Sequence, residues 1–428
     1  MLKRLALTAA AVLLSLLMIE LGAVAAYWIW RGHPVPRREI LERLAKPLPF
    51  ENNVQRREGP TAPLFVSNKS LHPYLGFVYG PAPRNRNSFG FAGPEPLFAD
   101  SEDTLDIAVF GGSLALAFCG EGHPAIVEEL TKAKPGRSIR MSCFAVDGYK
   151  QPQHLIALAY MLSLGMRIDV AVNLDGFNEI ALPLTENLPS GVYPFYPRAW
   201  NLYAANGFQP EIAARTARIA DRRAERVFWR RFFARFPLRV SNFFLVLWDS
   251  LDRLKDSRAK QLDREIQSLL ADESNPALGP FDPAAEPREV LLASTRAWRT
   301  ASLQMAALCR DAGIRYLHFL QPNQYVAGSK VFSQEESRVA FGEAGYRSVV
   351  EEGYPLLLRE GETLRDEGVE FFDLTRLFRE HPETLYRDAC CHVNARGNEI
   401  LGREIGRRIR QALREGDPPA GAGGAPRR

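Results

Sequence analysis

Four stretches of this 428-residue chain carry side chains suited to acyl chemistry. In the first, Ile107-Ala108-Val109-Phe110-Gly111-Gly112-Ser113, an apolar run of strand type ends in two glycines and a serine. Helix-compatible Leu114-Ala115-Leu116-Ala117 follows at once. Gly111 and Gly112 permit a sharp turn that places Ser113 at the carboxyl end of a strand and the start of a helix. A hydroxyl there lies beside backbone N–H groups that can stabilise a developing oxyanion. Near the other end of the chain, Asp388 and His392 stand a few residues apart before a helical stretch from Glu399 to Leu413. Such a pair can supply a base and its orienting carboxylate to a distant serine. Between them, Gly148 follows a short apolar strand and lets backbone approach a ligand closely, and Asn178 follows the strand Val170–Leu174. The Asn178 amide is a neutral N–H donor that suits a negative oxygen without titrating. Singly, each stretch has a plainer reading, as turn glycines or as Asp and Asn caps of helices. In the order Ser, Gly, Asn, Asp…His, each at the end of an apparent strand, they form one candidate site.

That order resembles the SGNH hydrolase family, the GDSL-like esterases and acyltransferases, with blocks at Ser113, Gly148, Asn178 and His392 covering about Asp106 to Leu413. The resemblance implies Ser113 as nucleophile and His392 as general base. It also implies an oxyanion hole from the N–H groups of Ser113 and Gly148 and the Asn178 amide. Three departures stand out. The family's Gly-Asp-Ser is here Gly111-Gly112-Ser113, and its Gly-x-Asn-Asp is here Gly176-Phe177-Asn178-Glu179. Its Asp, three residues before the His, is replaced by Ala389, so the expected orienting carboxylate is Asp388, reached by a bulge, with Asp373 and Glu179 as weaker candidates. The implied chemistry needs no metal and no organic cofactor. Its substrate would be an ester-bearing cell-envelope glycan or a lipid, and protein partners stay open. A rival reading is a catalytically degenerate glycan-binding or scaffold subunit, because fold does not guarantee chemistry.

The elements that must position these residues alternate: strand 106–110, helix 114–131, strand 139–146, helix 152–164, strand 168–174, then strands 314–320 and 369–374. The alternation predicts an α/β fold, a parallel sheet with helices on both faces. With the resemblance, the expectation is a flavodoxin-like three-layer α/β/α domain over 101–415 with a five-stranded sheet. A helical, Arg-rich insertion at about 183–290 interrupts it and is read as a cap with a solvated basic face, contact of that face with anionic lipid or polysaccharide being the alternative. The turn Gln321-Pro322-Asn323-Gln324 should lie on the same rim as Ser113, and His318 is expected to be a satisfied sheet residue. Asp373 reads as a strand-end cap.

At the N-terminus, Glu20 is the only charge from Leu5 to Ala26, Lys3 and Arg4 precede it, and Tyr27-Trp28-Ile29-Trp30 follows. This length and aromatic edge predict an uncleaved transmembrane anchor over 1–30 rather than a cleaved signal peptide, although Val24-Ala25-Ala26 resembles a cleavage site. Residues 31–100 read as a juxtamembrane linker and packed loops, with a short helix near 40–46, and 416–428 as a disordered tail. Arg31, Arg37, Arg38, Arg43 and Lys46 beyond the span argue for a cytoplasmic domain. The short basic N-terminus and the resemblance to exported esterases favour a periplasmic one in a bacterium. A formal charge of +4, spread among acidic residues, points to no nucleic-acid partner. The five cysteines leave the compartment open, and without a Cys-x-x-Cys pair no zinc site is expected.

Overall fold

The computed structural model describes residues 2–46, 48, 69–80, 86–98, 103–132, 136–203, 210–270, 279–280, 286–341 and 345–414. The expected tail 416–428 lies outside these residues, as does most of the linker between 47 and 68. The chain forms two compact units, residues 1–67 with 204–273 and residues 68–203 with 274–428.

In the second unit, largely apolar runs make strands, of which the central ones are buried on both faces. These are β3 (Thr104–Gly111), β4 (Ser138–Ala145), β5 (Val170–Asp175), β6 (Arg315–Leu320) and β7 (Glu370–Asp373), preceded by a small hairpin of β1 (Lys69–His72) and β2 (Gly76–Tyr79). The hairpin lies where the sequence predicts only loops. The five main strands are parallel, in the order β4-β3-β5-β6-β7. The order reverses beside β3, which pairs with β4 on one side and β5 on the other, so the crevice beyond its carboxyl end is a natural ligand site. Register aligns the strand ends: Gly111 pairs with Ala145 and Leu174, Asp175 with Leu320, and Leu320 with Asp373. The segments that follow these ends therefore share one rim.

One sheet face, including Ile107, Val109, Val172 and Leu317, packs against Leu114, Phe118, Ile126 and the C-terminal helix Ala395–Arg414 through Leu401, Ile405 and Ile409. The helix expected over 114–131 is two, Ser113–Glu121 and His123–Thr131. A Cβ on Gly402 would lie 2.4 Å from the Gly122 carbonyl oxygen, so the C-terminal helix seats against the break itself. The opposite face carries Pro287–Asp311, whose Trp298 ring lies 4.6 Å from the His318 ring.

The first unit is helical: Leu2–Arg31, Arg37–Ala45, Pro210–Phe233 and Asn242–Leu270. Residues 204–273 of the expected insertion belong here, whereas 183–203 and 274–290 belong to the α/β unit. The first helix includes a segment, Ala10–Arg31, of mean hydropathy 2.0, long and apolar enough to cross a membrane. Pro210–Phe233 and Asn242–Leu270 pair as a hairpin around Phe233, Leu245 and Trp248. The basic stretch is not simply a solvated face. Arg226 pairs with Asp252 at 2.7 Å and Asp256 at 2.5 Å, and Arg215 pairs with Glu265 at 3.1 Å.

Candidate active site

The turn after β3 is built for close approach. A Cβ on Gly111 would lie 2.3 Å from the Leu174 carbonyl oxygen and 2.5 Å from Ala115 Cβ. On Gly112 it would lie 2.2 Å from the Asn178 amide nitrogen. The glycines thus do more than turn the chain: Gly112 leaves the space that the Asn178 side chain occupies. Ser113 opens the helix Ser113–Glu121, where unpaired N–H groups and the positive end of the helix dipole face an incoming anion.

The structure brings Ser113, His392 and Asp388 into one chain of hydrogen bonds. Ser113 Oγ donates to His392 Nε2 at 2.6 Å, and His392 Nδ1 donates to Asp388 Oδ2 at 2.5 Å. The second oxygen, Oδ1, accepts the N–H groups of Cys390 (2.9 Å), Cys391 (3.2 Å) and His392 (3.3 Å). The loop therefore wraps around its own carboxylate, which is how an Asp four residues before the His reaches the ring. Burial opposes ionisation of Asp388, but the His392 hydrogen bond and charge and the backbone N–H groups outweigh it and hold the carboxyl below its ordinary value. The other two candidates lie elsewhere in the fold. Asp373 accepts the Thr375 N–H at 2.8 Å as a strand-end cap, and Glu179 accepts those of Gln151 and Gly176 at 3.0 and 2.8 Å.

The turn after β6 holds the base loop from below. Tyr325 Oη donates to the Ala389 carbonyl at 2.7 Å, Gln324 Nε2 to that of Asp388 at 3.1 Å, and Asn323 Nδ2 to that of Cys390 at 3.3 Å. Its place on this rim agrees with the expectation for Gln321–Gln324. The role of Tyr325 had no signal in the sequence beyond proximity to that turn.

Gly148 has φ of +83°, a left-handed backbone that favours glycine. Neither its N–H nor that of Ser113 makes a backbone hydrogen bond among the described residues. Asn178 Nδ2 donates to the Tyr149 carbonyl at 2.7 Å, which fixes the amide beside Gly112. The small hairpin clamps this turn. Lys69 Nζ donates to the Asp147 carboxylate at 2.7 Å and to its carbonyl at 2.9 Å, and Tyr79 Oη also donates to the carboxylate. Tyr149 Oη donates to the Phe77 carbonyl at 2.5 Å. Burial lowers the Lys69 ammonium to about 8 despite the opposing pull of Asp147. Burial raises the Tyr79 phenol, with the Asp147 charge adding to it. The sequence reading missed Lys69, Tyr79 and Asp147, because their partnership joins positions 78 and 68 residues apart.

Behind the rim lies a buried polar network centred on Asp175. Its Oδ1 accepts His318 Nε2 at 2.9 Å and Trp298 Nε1 at 2.7 Å, and its Oδ2 accepts Asn173 Nδ2 at 2.7 Å. His318 Nδ1 lies 2.7 Å from Ser302 Oγ, so this histidine is a satisfied sheet residue, as its position suggests. Burial, with the Asp175 charge next, pushes the Glu179 carboxyl up to about 7. His154, Asp175 and Glu179 offer metal-ligand atoms within 4.8 Å of one another, but N–H donors already occupy both oxygens of Asp175. Cys390, Cys391 and His392 form a second such group, in which both ring nitrogens already face Asp388 and Ser113.

A disulfide joins Cys119, in the helix that Ser113 opens, to Cys143 in β4. It ties the serine block to the strand that leads to Gly148. Compared with known proteins, the chain matches no protein-family model and no curated protein.

Proposed function

We propose that this protein is a membrane-anchored, serine-dependent ester hydrolase or O-acyltransferase of the SGNH type, with a flavodoxin-like three-layer domain interrupted by the helical hairpin. The observation that carries this reading is the hydrogen-bonded chain Ser113–His392–Asp388, with steps of 2.6 and 2.5 Å. In the proposed reaction His392 Nε2 takes the Ser113 proton as Oγ attacks the acyl carbonyl. Asp388 holds Nδ1–H and stabilises the imidazolium that forms. The N–H groups of Ser113 and Gly148 and the Asn178 amide receive the negative oxygen. His392 then protonates the leaving alkoxide, and water or an acceptor hydroxyl, deprotonated by the same ring, releases the acyl group from Ser113. An ester of an envelope glycan or a lipid is the proposed substrate class. The bond from His392 to Asp388 weighs against the degenerate-subunit reading, whose foothold was Ala389.

An extracytoplasmic placement in a bacterium is part of the proposal. The apolar N-terminal helix and the Cys119–Cys143 disulfide support it, since disulfides persist in oxidising compartments and are rare in the cytosol. The deciding experiment compares wild type with Ser113→Ala. Wild type should hydrolyse a short-chain aryl ester and take a fluorophosphonate label on Ser113. The variant should lose both, with turnover falling by several orders of magnitude, about 10⁴-fold or more. Equal turnover by the two would refute the enzyme reading.

A further inference from the structure

The tip of the helical hairpin has a composition that nothing in the proposed reaction uses. From Val227 to Ser241 the chain has five aromatic residues, four arginines and no acidic residue. Phe228 is 61%, Phe236 75% and Val240 50% exposed, which is unusual for a contiguous group of large apolar side chains in water. Arg235 and Arg239 are exposed on the same tip and make no ion pair among the described residues.

The register of the hairpin against the first helix says what covers this tip. The Glu20 carboxylate accepts the Asn242 N–H at 2.7 Å and the Ser241 hydroxyl, capping the helix Asn242–Leu270 from a position inside the apolar span. Further along, Trp30 and Arg31 line one groove with Ser250, Arg253 and Leu254. The two helices therefore run side by side in the same direction, residue 20 level with 242 and residue 31 level with 253. At matching heights both change character. The first helix is apolar from Leu21 to Ala26, then turns aromatic and basic; its neighbour is apolar from Phe243 to Trp248, and the next residue, Asp249, is buried and paired with Arg43 and Arg253. Phe243 and Leu247 in that stretch are each 37% exposed, so protein alone does not cover it. The aromatic and basic end of the first helix marks the lipid–water boundary, and the charged helix Arg37–Ala45 covers the other side of the hairpin, where Arg37 donates to the Val240 carbonyl and to the Asn242 side chain. Glu20 and the tip lie six residues, about 9 Å at 1.5 Å per residue, on the apolar side of it. That is the depth reached by elements embedded in one leaflet, about 5–10 Å.

We infer that the tip of the hairpin, residues 228–247, is embedded in the lipid leaflet beside the N-terminal helix, with its exposed phenyl rings among the acyl chains and Arg235 and Arg239 at the phosphates of anionic phospholipids. This rests on the membrane-anchor reading above. Arginine suits the site because its long stem lies along apolar surface while the guanidinium fork reaches phosphate oxygens. The half-buried Glu20 is then explained as well: its carboxylate is satisfied by the hairpin rather than left bare in lipid.

The test uses the full chain, one copy per lipid nanodisc containing phosphatidylglycerol, with a fluorophore on Phe236→Cys or, as a water-exposed control, on Lys260→Cys. Lipids carrying a nitroxide near the top of the acyl chain should quench the first fluorophore severalfold more than the second. Combining Phe236→Cys with Arg235→Gln and Arg239→Gln should reduce that quenching. Equal quenching at 236 and 260 overturns the inference. So does protection of position 236 from a water-borne quencher without lipid quenching, because protein rather than lipid would then cover the tip. Alkaline extraction separates the two levels: release of the chain defeats the anchor reading, whereas retention without quenching at 236 defeats only the embedded tip.

Discussion

At the scale of single residues, the arrangement makes two separable claims. Asp388 is proposed to hold His392 in the tautomer whose Nε2 faces Ser113, through the 2.5 Å bond at Nδ1. Asp388→Asn should lower ester turnover by about 10⁴-fold, as when an amide replaces a triad's orienting carboxylate. Labelling of Ser113 by a fluorophosphonate should persist at a reduced rate. Turnover unchanged by this substitution would mean that a Ser–His dyad suffices. The second claim concerns the space around Asn178. Asn178→Ala should cost about 10²–10³ in turnover, the worth of one oxyanion donor. Gly112→Ala should act in the same direction with Asn178 still present, because the new methyl would occupy the place of its amide, 2.2 Å away. Both variants should keep a cooperative thermal transition. If both lose that transition while activity per folded molecule persists, Asn178 is a structural residue.

At the scale of elements, the site depends on three pieces that are remote in sequence. The C-terminal helix brings His392 to Ser113 by seating Gly402 on the Gly122 break, and Asn398 Nδ2 donates to Glu121 at 2.7 Å beside it. The small hairpin clamps the Gly148 turn, and the Asp175 network braces the strand end that leads to Asn178. The last piece has a pH signature. Glu179 has a value of about 7 in the folded protein against an ordinary 4.5. Across that window the native state keeps a proton that the unfolded chain has released, so stability falls as pH rises. Glu179→Gln removes this contribution. The stability of the variant relative to wild type, from denaturant midpoints, should therefore increase from pH 4.5 to pH 7. A difference that stays flat over this range would show that Glu179 is ionised throughout.

For the whole molecule, the question is the compartment. Flanking charge alone is ambiguous, since Lys3 and Arg4 stand on one side of the apolar helix and Arg31, Arg37 and Arg38 on the other. The Cys119–Cys143 bridge favours the oxidising side. An alkaline phosphatase fused after Arg414 should be active in intact bacteria, and Cys119 and Cys143 should resist alkylation until a reductant is added. A fusion active only in the cytoplasm, with both thiols free, would reverse the orientation.

The primary sequence was sufficient for whatever is written locally. Apolar runs ending in Gly-Gly-Ser or Gly-x-Asn announce strand ends, because buried parallel strands are continuous in hydrophobicity and their turns need glycine. All five main strands, the apolar first helix and the rim positions of Ser113, Gly148 and Asn178 are legible for that reason. The hairpin Lys69–Tyr79 was not, since its short strands sit among turn-forming residues and their value lies in reaching Asp147 and the Phe77–Tyr149 pair. The assignment of 204–273 to the N-terminal unit was also invisible, because helical periodicity tells which face is apolar but not what covers it. Tertiary structure alone chose among Asp388, Asp373 and Glu179. A carboxylate's partner is decided by a few ångströms of loop geometry, here three backbone N–H groups folded around Asp388, and spacing along the chain does not encode that distance.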